Sequence, residues 1–496
     1  MNTHTLEIGL EHYFAVYRNK IIGQHQYFDG PVGSRKIIYA DWTASGRAYG
    51  PIEQCIQQEV LPFTGNTHTG TTITGTLMSE AYEAAKQIVK SHVHASEEDR
   101  LLFCGSGMTS AVNKLQRILG MRVPEQFAVS IPEELRPVVF VTHMEHHSNY
   151  LSWLETIATV EMIGCDDSGN ADMMHFKLLL EQFAQRPCKI AAVTACSNVT
   201  GIQTPYHDIA KLIHAYDGYC FVDFACSAPY CTIDMHPPES DTHLDAIYFS
   251  MHKFLGGPGT PGVLIFNKAL YRNGVPDQPG GGTVRYSNPW KVREYVTDIE
   301  QREDGGTPPF LQGIKAAMCI RLKEEMGVAN IQRREEELLA IVFPRLAKVK
   351  GVQVLEAGIT RRLGVVSFIV EDAPYNLIVK LLNDRFGVQM RGGCSCAGTY
   401  GHLLLQVDQL QSYAIRDAIL SGDLSAKPGW IRLSLHPVMT DAEIGFILDA
   451  IEATVLNWRH WAGDYAYDPH SNEYFFNGGV GDTRRQVEGW FDISEW

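Results

Sequence analysis

The residue whose position most clearly suggests covalent chemistry is Lys253, which lies between an apolar run, Ala246–Ser250, and a turn rich in Gly and Pro. Most lysines at the end of a strand are solvated partners of an acid, so an ion-paired Lys253 is the ordinary interpretation. A partly desolvated lysine is instead a neutral nucleophile that can form a Schiff base with a carbonyl group. The segment by itself leaves both interpretations open.

An acid, Asp223, ends a second apolar run, Tyr219–Asp223, upstream of this lysine. If that run is a parallel strand, its carboxyl end faces the crevice where α/β sheets bind ligands. A carboxylate there can pair with a cationic ring nitrogen, which pyridoxal phosphate (PLP) needs to act as an electron sink. The alternative for Asp223 alone is a helix N-cap.

A third segment, Gly105, Ser106 and Gly107, follows an apolar run and precedes an amphipathic pattern. The backbone N–H groups at such a helix start can bind a phosphate. The segment matches neither the P-loop pattern nor the complete dinucleotide fingerprint, so it does not favour a nucleotide site.

Several ordered segments together resemble the class V aminotransferase family of fold-type I PLP enzymes, and within it the cysteine desulfurases and selenocysteine lyases. The resemblance extends from about Tyr39 to about Ala453. Its most specific parts are Ser-Met-His-Lys at 250–253, Val-Asp at 222–223, Thr-His-Met-Glu-His-His-Ser-Asn at 142–149, Ser-Asn-Val-Thr-Gly at 197–201 and Arg-Gly-Gly-Cys-Ser-Cys at 391–396.

The resemblance implies how the cofactor ring would be held. Lys253 would attach PLP covalently and later move the substrate proton, and Asp223 would pair with the pyridine nitrogen. His146 would stack on the ring, and the Asn198 amide would donate a hydrogen bond to the ring hydroxyl. The family usually has a Gln where this chain has Cys226, so one hydrogen bond to that hydroxyl would be missing.

The resemblance also implies a phosphate site built from five residues. These are Gly107, Met108, Thr109, Ser250 and His252. Thr307 resembles a threonine that reaches this site from a second subunit, which implies a homodimer.

Arg432 resembles the arginine that binds the α-carboxylate of an amino-acid substrate, a geometry that suits a guanidinium group. Its alternative is an ordinary ion pair at a strand edge. Arg391 is also a predicted substrate-binding residue, and its charge next to Cys396 would favour the thiolate form of that thiol.

Cys396 lies at the position of the desulfurase nucleophile, so catalytic residues are predicted at Lys253, Cys396 and His146. Cys394 is close enough in sequence to compete for the nucleophile role. The two thiols could also be buried small side chains, a redox-sensitive disulfide, or zinc ligands together with His402. Cys-x-Cys is not the usual zinc spacing and no second pair follows, so no metal site is predicted.

The expected activity is conversion of L-cysteine to L-alanine, with transfer of the sulfur to a persulfide on Cys396. The alternative is a class V aminotransferase, or a PLP-dependent C–S or C–Se lyase, that acts on another amino acid. A sulfur-acceptor protein is an expected partner by resemblance. A partner or scaffold protein without turnover is disfavoured, because such a protein has no need for Lys253 and Asp223 together.

The elements that must position these residues follow from the hydrophobic pattern. Helices are expected over 79–93, 109–119 and 207–216, alternating with strands over 138–142, 190–195, 219–223, 246–250 and 262–266. This alternation predicts a parallel sheet buried on both faces. Later helices over 313–326 and 331–346, with strands near 364–370 and 430–435, indicate a separate α+β module.

The predicted fold is therefore α/β and, by resemblance, that of a fold-type I PLP-dependent transferase. It has a large domain with a mostly parallel seven-stranded sheet between helices, and a smaller α+β domain. The expected divisions are an N-terminal segment, 1–60, that packs with the small domain; a large PLP-binding domain, 61–310; a small domain with the cysteine loop and a helical lid, 311–457; and an extension, 458–496. The lid is expected within 397–429, which is longer than in the family.

The composition of the chain limits the classes of function that remain. The 496 residues include 42 Lys and Arg against 57 Asp and Glu, a formal net charge of −15, which argues against a nucleic-acid partner. Scattered cysteines, 11 in all, indicate reduced thiols rather than a disulfide framework. No signal peptide and no apolar run of about 18 residues is present, so a cytoplasmic protein without a membrane partner is expected.

Overall fold

A computed structural model describes residues 9–67, 69–127, 131–479 and 483–495. The first eight residues of the predicted N-terminal segment, and residues 480–482 and 496 of the predicted extension, lie outside the described residues. The strands are β1 (Tyr27–Gly30), β2 (Gly33–Lys36), β3 (Ile38–Tyr39), β4 (Asp99–Cys104), β5 (Val138–Thr142), β6 (Thr159–Ile163), β7 (Lys189–Thr194), β8 (Tyr219–Asp223), β9 (Ala246–Ser250), β10 (Gly262–Asn267), β11 (Val284–Ser287), β12 (Arg293–Tyr295), β13 (Val352–Val354), β14 (Val365–Val370), β15 (Val388–Gln389), β16 (Arg391–Gly393), β17 (Trp430–Ser434), β18 (Tyr465–Asp468) and β19 (Glu473–Phe476).

The α-helices are α1 (Leu10–Tyr13), α2 (Ala15–Arg18), α3 (Gly50–Cys55), α4 (Ile73–His92), α5 (Met108–Ile118), α6 (His147–Leu154), α7 (Met173–Gln182), α8 (Tyr206–His214), α9 (Ile299–Glu303), α10 (Phe310–Met326), α11 (Val328–Leu346), α12 (Tyr375–Phe386), α13 (Gly398–Leu404), α14 (Gln409–Leu420), α15 (Asp441–Trp461) and α16 (Thr483–Gly489). None of these described helices combines the length and the apolar character needed to cross a lipid bilayer.

A seven-stranded sheet forms the centre of the molecule, with the strand order β4-β10-β9-β8-β7-β5-β6. The neighbours from β9 through β6 pair in parallel, whereas β10 pairs antiparallel with both β4 and β9. Strands β5, β7 and β9 are buried along their whole length, as expected for a sheet covered by helices on both faces. The predicted seven-stranded, mostly parallel sheet is confirmed.

The helix α4 begins six residues before the predicted start at position 79, because the stretch that precedes it is rich in Thr and Gly and gives little periodic signal. The Thr72 side chain caps this helix by accepting a hydrogen bond from the Gly75 N–H group (3.3 Å). The helix α5 carries a one-sided apolar face whose residues Ala111, Val112 and Leu115 are fully buried against the sheet.

A smaller antiparallel sheet, ordered β13-β14-β17-β16, packs with α11 and α12, and α15 packs in turn on these two helices. Two helices of this module begin with a capping box. Asp408 pairs with Gln411 at the start of α14, and Thr440 pairs with Glu443 at the start of α15. Strand β3 pairs in parallel with β15, which joins the N-terminal segment to this second module. The exact division of the chain into domains stays a prediction.

Candidate active site

The loops that carry the predicted site residues meet at one edge of the central sheet. Strands β5, β7, β8 and β9 are parallel, so their carboxyl ends share this edge, and the pairing of Cys104 and Ser250 with Gly262 brings the end of β4 to the same place. The loops enclose a cavity of about 410 Å³. Its lining includes Gly107, Met108, Thr109, His146, Asn198, Asp223, Cys226, Ser250, His252, Lys253, Arg391, Cys396 and Arg432.

Lys253 ends a short 3-10 turn that follows β9 directly. A residue of the N-terminal segment holds this turn in place, because the Gly46 N–H group donates a hydrogen bond to the His252 carbonyl (2.9 Å). A side chain at Gly46 would place its Cβ 1.9 Å from the Phe254 carbonyl oxygen, so only glycine allows this approach. Burial lowers the pKa of Lys253, with an opposing effect from Cys226 and Asp223, which favours the neutral amine that a nucleophilic lysine needs.

Asp223 is the last residue of β8, and its carboxylate accepts one hydrogen bond, from the Ala225 N–H group (2.8 Å). Burial raises the pKa of Asp223 to about 6, although the charge of Lys253 opposes this effect. A buried carboxylate with so few donors is stabilised by a cationic ligand in the cavity. The pyridinium nitrogen of PLP has the required charge.

The predicted phosphate residues surround the start of α5. The Met108 N–H group donates to Ser250 Oγ (2.8 Å), and Thr109 Oγ1 lies 2.7 Å from Ser148 Oγ. A Cβ at Gly107 would lie 3.1 Å from Ser250 Oγ and would narrow the space in front of the helix start. Since a helix N-terminus attracts an anion, this cradle suits a phosphate group.

His146 accepts a hydrogen bond from the Ser148 N–H group at Nδ1 (3.1 Å) and so caps α6. The proton of the neutral ring is therefore on Nε2. Burial and the nearby Lys253 lower the pKa of His146 to about 3, and burial lowers the pKa of His252 to about 4. Both rings are neutral at pH 7, and His146 can offer a flat, uncharged face to an aromatic ring.

Asn198 donates a hydrogen bond from its side-chain amide to the Ser395 carbonyl (2.8 Å). One amide hydrogen remains for the predicted contact with a ring hydroxyl. Cys226 lines the cavity beside Lys253, and a hydrogen bond from Cys196 lowers the pKa of Cys226 against the effect of burial. A polarisable thiol therefore lies where the family usually has an amide.

Asp41, which the sequence analysis did not identify, connects the two predicted substrate arginines. Its Oδ1 accepts from Arg432 Nη2 (2.7 Å) and its Oδ2 accepts from Arg391 Nε (2.9 Å). Arg432 also donates to the Asn198 carbonyl (3.1 Å), and its buried Nε has no hydrogen-bond partner among the described residues. Two guanidinium groups share one carboxylate, so the pair retains an excess positive charge that can bind a substrate carboxylate.

Glu145 is a second residue that the sequence analysis missed. Its carboxylate accepts hydrogen bonds from Thr142 Oγ1 (2.6 Å), the Thr194 N–H group (2.8 Å) and Asn149 Nδ2 (2.8 Å). Burial raises the pKa of Glu145 to about 7 in spite of these donors. The residue ties the loop that carries His146 to β7, and its only sequence signal is its place inside the 142–149 segment.

The cysteine loop is held by residues from the large sheet. Ser395 and Cys396 both have a left-handed backbone, with φ of +52° and +56°. This conformation costs a non-glycine residue about 1 kcal/mol or more. The carbonyl of Ser395 accepts from Asn198, and that of Cys396 accepts from the His147 N–H group (2.7 Å), so hydrogen bonds fix both strained residues.

Cys396 is exposed and lines the cavity, whereas Cys394 packs beside Trp430 and is not part of the lining. His402, the third member of the zinc alternative, donates or accepts at both ring nitrogens, with the Gly398 carbonyl (2.7 Å) and Ser412 Oγ (2.9 Å). Its ring is therefore already engaged. This arrangement favours the nucleophile interpretation for Cys396 over a zinc site.

The segment 397–429 contains two helices, α13 and α14. Leu404 and Leu405 pack against the cluster of Trp430 and Tyr400, whereas Leu410 in α14 is 80% exposed. Thr307 is exposed and does not line the cavity of its own chain. Its contact with a partner subunit stays a prediction.

Most of the chain is similar in sequence to proteins of one known family. Residues 38–446 match the model of a family described as aminotransferase class-V. The chain is 28% identical over 377 residues to a protein named as a probable cysteine desulfurase from Halalkalibacterium halodurans, covering 74% of this chain and 86% of the relative. A protein of the same name from Staphylococcus aureus is 27% identical over 392 residues, covering 78% and 89%.

Two solved structures have a similar fold. A cysteine desulfurase from Thermococcus onnurineus, determined in its apo form, has a TM-score of 0.71 at 22% identity, covering 89% of this chain and 98% of the other. The cysteine desulfurase CsdA from Escherichia coli has a TM-score of 0.68 at 19% identity, covering 90% and 98%. At these identities the likeness concerns the fold, and it confirms the predicted architecture.

Proposed function

Because this chain belongs to the class V aminotransferase family of PLP-dependent enzymes, we propose that it is a cysteine desulfurase, which converts L-cysteine to L-alanine and retains the sulfur as a persulfide on Cys396. The observation that carries this proposal is that an exposed thiol, Cys396, and a buried amine, Lys253, line the same cavity. A transaminase needs the amine but not the thiol. The curated relatives support the same activity by their names.

The residues around the cavity suit PLP. Lys253 would hold it, Asp223 would pair with its ring nitrogen, and Gly107, Met108 and Ser250 would surround its phosphate. When bound, PLP supplies an electron sink that makes the substrate α-proton acidic. The neutral face of His146 would keep the ring in place.

Lys253 has a lowered pKa, so its amine can take the α-proton from cysteine and later return a proton to the carbon skeleton. Arg432 and Arg391 would bind the substrate carboxylate beside Asp41, which neutralises only one of their two positive charges. The remaining positive charge would pair with the carboxylate of the amino acid and orient it. Cys396 lines the same cavity as both arginines, so its thiol would be available to a substrate bound there.

The Cys396 thiolate would attack the substrate sulfur. A sulfur–sulfur bond forms, the carbon–sulfur bond breaks, and its electron pair stays with the substrate carbon, which is protonated to give alanine. The balance is one L-cysteine and one enzyme thiol giving one L-alanine and one enzyme persulfide. Further turnover requires a thiol that accepts the sulfur, either a small reductant or an acceptor protein.

We further propose that the active form is a homodimer in which Thr307 reaches the phosphate site of the partner subunit. Thr307 is exposed and lies beside Gly306, which has a left-handed φ of +87°. Since Thr307 contributes nothing to its own cavity, an exposed hydroxyl in this turn is available to a second chain.

The test is the release of alanine from L-cysteine by the PLP-loaded protein under anaerobic conditions with a reducing thiol. We expect Lys253→Ala to release none, and Cys396→Ser to release none while it still holds the cofactor. Cys394→Ser is the matched control, because its thiol lies two positions away but outside the cavity, and it should retain activity.

Alanine release at the wild-type rate by Cys396→Ser would refute the nucleophile assignment. No alanine from the wild-type protein, with cofactor absorbance intact, would refute the desulfurase and favour transamination or elimination on another amino acid. Pyruvate without persulfide would identify elimination.

A further inference from the structure

The side chain of His147, which has no part in the proposed mechanism, binds the loop that carries Cys396. Its Nε2 accepts a hydrogen bond from the Gly398 N–H group (2.8 Å), and the backbone N–H group of His147 donates to the Cys396 carbonyl (2.7 Å). The preceding carbonyl, that of Ser395, accepts from the Asn198 amide. Three consecutive peptide groups around Cys396 are therefore bound by residues that follow β5 and β7 of the central sheet.

The ring of His147 supplies a cap for the helix that follows the cysteine loop. Gly398 is the first residue of α13, and the first N–H groups of a helix have no acceptor within the helix itself. Such a group is usually bound by a polar side chain at the N-cap position, but that position is occupied by Ala397. His147 is the first residue of α6, so its ring joins the starts of two helices that are distant in sequence.

The charge state of His147 suits this contact. A ring nitrogen accepts a hydrogen bond only when it carries no proton, so the proton of the neutral ring is on Nδ1. Burial lowers the pKa of His147, and the positive charge of Lys427 lowers it further. The neighbouring ring of His146, whose centroid lies 6.4 Å away, is also neutral at pH 7. The start of a helix disfavours a cation, which acts in the same direction.

The fit between the ring and the loop explains the residue types at two positions. A Cβ at Gly398 would lie 3.0 Å from His147 Nε2, so the absence of a side chain there makes room for the ring. Cys396 shows the opposite case, because its left-handed φ of +56° would suit glycine and yet it carries a side chain. A strained backbone of this kind persists only where its surroundings hold it.

We propose that His147 is a positioning residue for the Cys396 thiol, an inference that rests on the proposed desulfurase function. Without the ring acceptor, the loop loses one of its three attachments directly after the strained residue. The backbone of Cys396 can then relax and move the thiol, and a displacement of about 1 Å can cost a reacting group about 100-fold in rate. Cysteine would bind through Arg432 and Lys253, which lie outside this loop, so its binding should not depend on His147.

The experiment measures alanine release and hydrogen exchange of the segment 394–405 in the PLP-loaded protein. His147→Leu removes the acceptor, and we expect kcat to fall about tenfold or more while KM for cysteine stays within about twofold. The segment should also exchange faster, because the Gly398 N–H group loses its partner. In His147→Gln the amide oxygen can accept the same hydrogen bond, so this variant should recover most of kcat and of the protection.

His175→Leu is the matched control. Nδ1 of this half-buried histidine accepts from the Gly164 N–H group (3.0 Å), so the control removes the same kind of hydrogen bond at the start of another helix, α7. It should behave like the wild type in both measurements. Cofactor absorbance verifies the fold of each variant. If His147→Leu does not fold, Gly398→Ala tests the contact from the other side, since its Cβ displaces the ring and should also lower kcat.

An unchanged kcat in His147→Leu, or an equal loss in His147→Leu and His147→Gln, would overturn the proposal. A lower kcat without faster exchange of the segment would also overturn it, because the effect would not pass through the loop. If the wild type released no alanine, the proposed function would fail. Hydrogen exchange would still test the attachment in that case, and equal exchange in His147→Leu and the wild type would overturn it.

Discussion

The burial of Asp223 predicts both the sign and the size of a pH dependence in the free energy of unfolding. Burial raises its pKa to about 6 from a model-peptide value of 3.8. In the cofactor-free protein, the folded state therefore binds more protons than the unfolded state between about pH 4 and pH 6. The free energy of unfolding falls as the pH rises through this window, by about 1.4 kcal/mol per pH unit and about 3 kcal/mol in total.

The substitution Asp223→Asn removes this penalty. An asparagine oxygen can still accept the hydrogen bond from the Ala225 N–H group, so the local structure is retained. We expect the stability of the cofactor-free variant, relative to the wild type, to rise by about 2.4 kcal/mol between pH 4 and pH 8, because part of the effect is already present at pH 4. The pKa of Glu335 is also raised by burial, but that residue is the same in both proteins and its effect cancels in the difference. The pKa of Glu145 is raised mainly by its own burial and to a lesser extent by the charge of Asp223, so most of its effect cancels as well.

The assay is urea unfolding of both cofactor-free proteins at pH 4, 6 and 8. With PLP bound, the order should reverse at pH 8, because the carboxylate of Asp223 then has a cationic partner that an amide cannot replace. Visible absorbance should show weaker PLP binding by the variant. A stability difference that does not change with pH in the cofactor-free proteins would refute the reasoning from burial.

Three further predictions concern other parts of the molecule. Gly46→Ala places a Cβ 1.9 Å from the Phe254 carbonyl oxygen and must displace the turn that carries Lys253. We expect the affinity for PLP, measured by titration of its visible absorbance, to fall at least about tenfold, and an unchanged affinity would contradict this expectation. Arg432→Lys loses the guanidinium fork, so KM for cysteine should rise roughly 10- to 100-fold in the alanine assay with the PLP spectrum unchanged; an unchanged KM would exclude the carboxylate role. Thr440→Ala removes the cap that accepts from the Glu443 N–H group (2.9 Å), and urea unfolding should show a loss of about 1 kcal/mol, whereas no loss would show that α15 does not depend on its cap.

The parts of the fold that could be predicted from the sequence are those with a continuous local signal. Strands β5, β8 and β9 were predicted with the observed bounds, because each is a short apolar run closed by a polar residue. The start of α4 was missed, because it lies in a stretch whose Thr and Gly residues have no helical period. The chain order of the motifs indicated one site, but no local pattern gave the distances within it.

The missed residues act through contacts between distant parts of the chain. Asp41 binds Arg391 across 350 positions, a separation at which spacing carries no information. The contact of Glu145 could not be predicted from spacing either, since its donor Thr194 lies on another strand. His214 and Asp245 likewise meet only because α8 ends at the edge of the sheet where β9 begins. Ion pairs of this kind depend on the completed topology and cannot be read from periodicity.

The two aspartates beside the central strands differ in a way that bears on their function. Asp245 lies next to two histidines, and hydrogen bonds from these rings lower its pKa against the effect of burial. Asp223 is also buried, but within the part of the chain that the structure describes only the Ala225 N–H group donates to its carboxylate, and its pKa is raised to about 6. A protein gains nothing in stability from a buried carboxylate that is left without a partner. Since Asp223 ends β8 and lines the cavity together with Lys253, a cationic ring bound there would give the carboxylate a partner that it otherwise has only in the charge of Lys253.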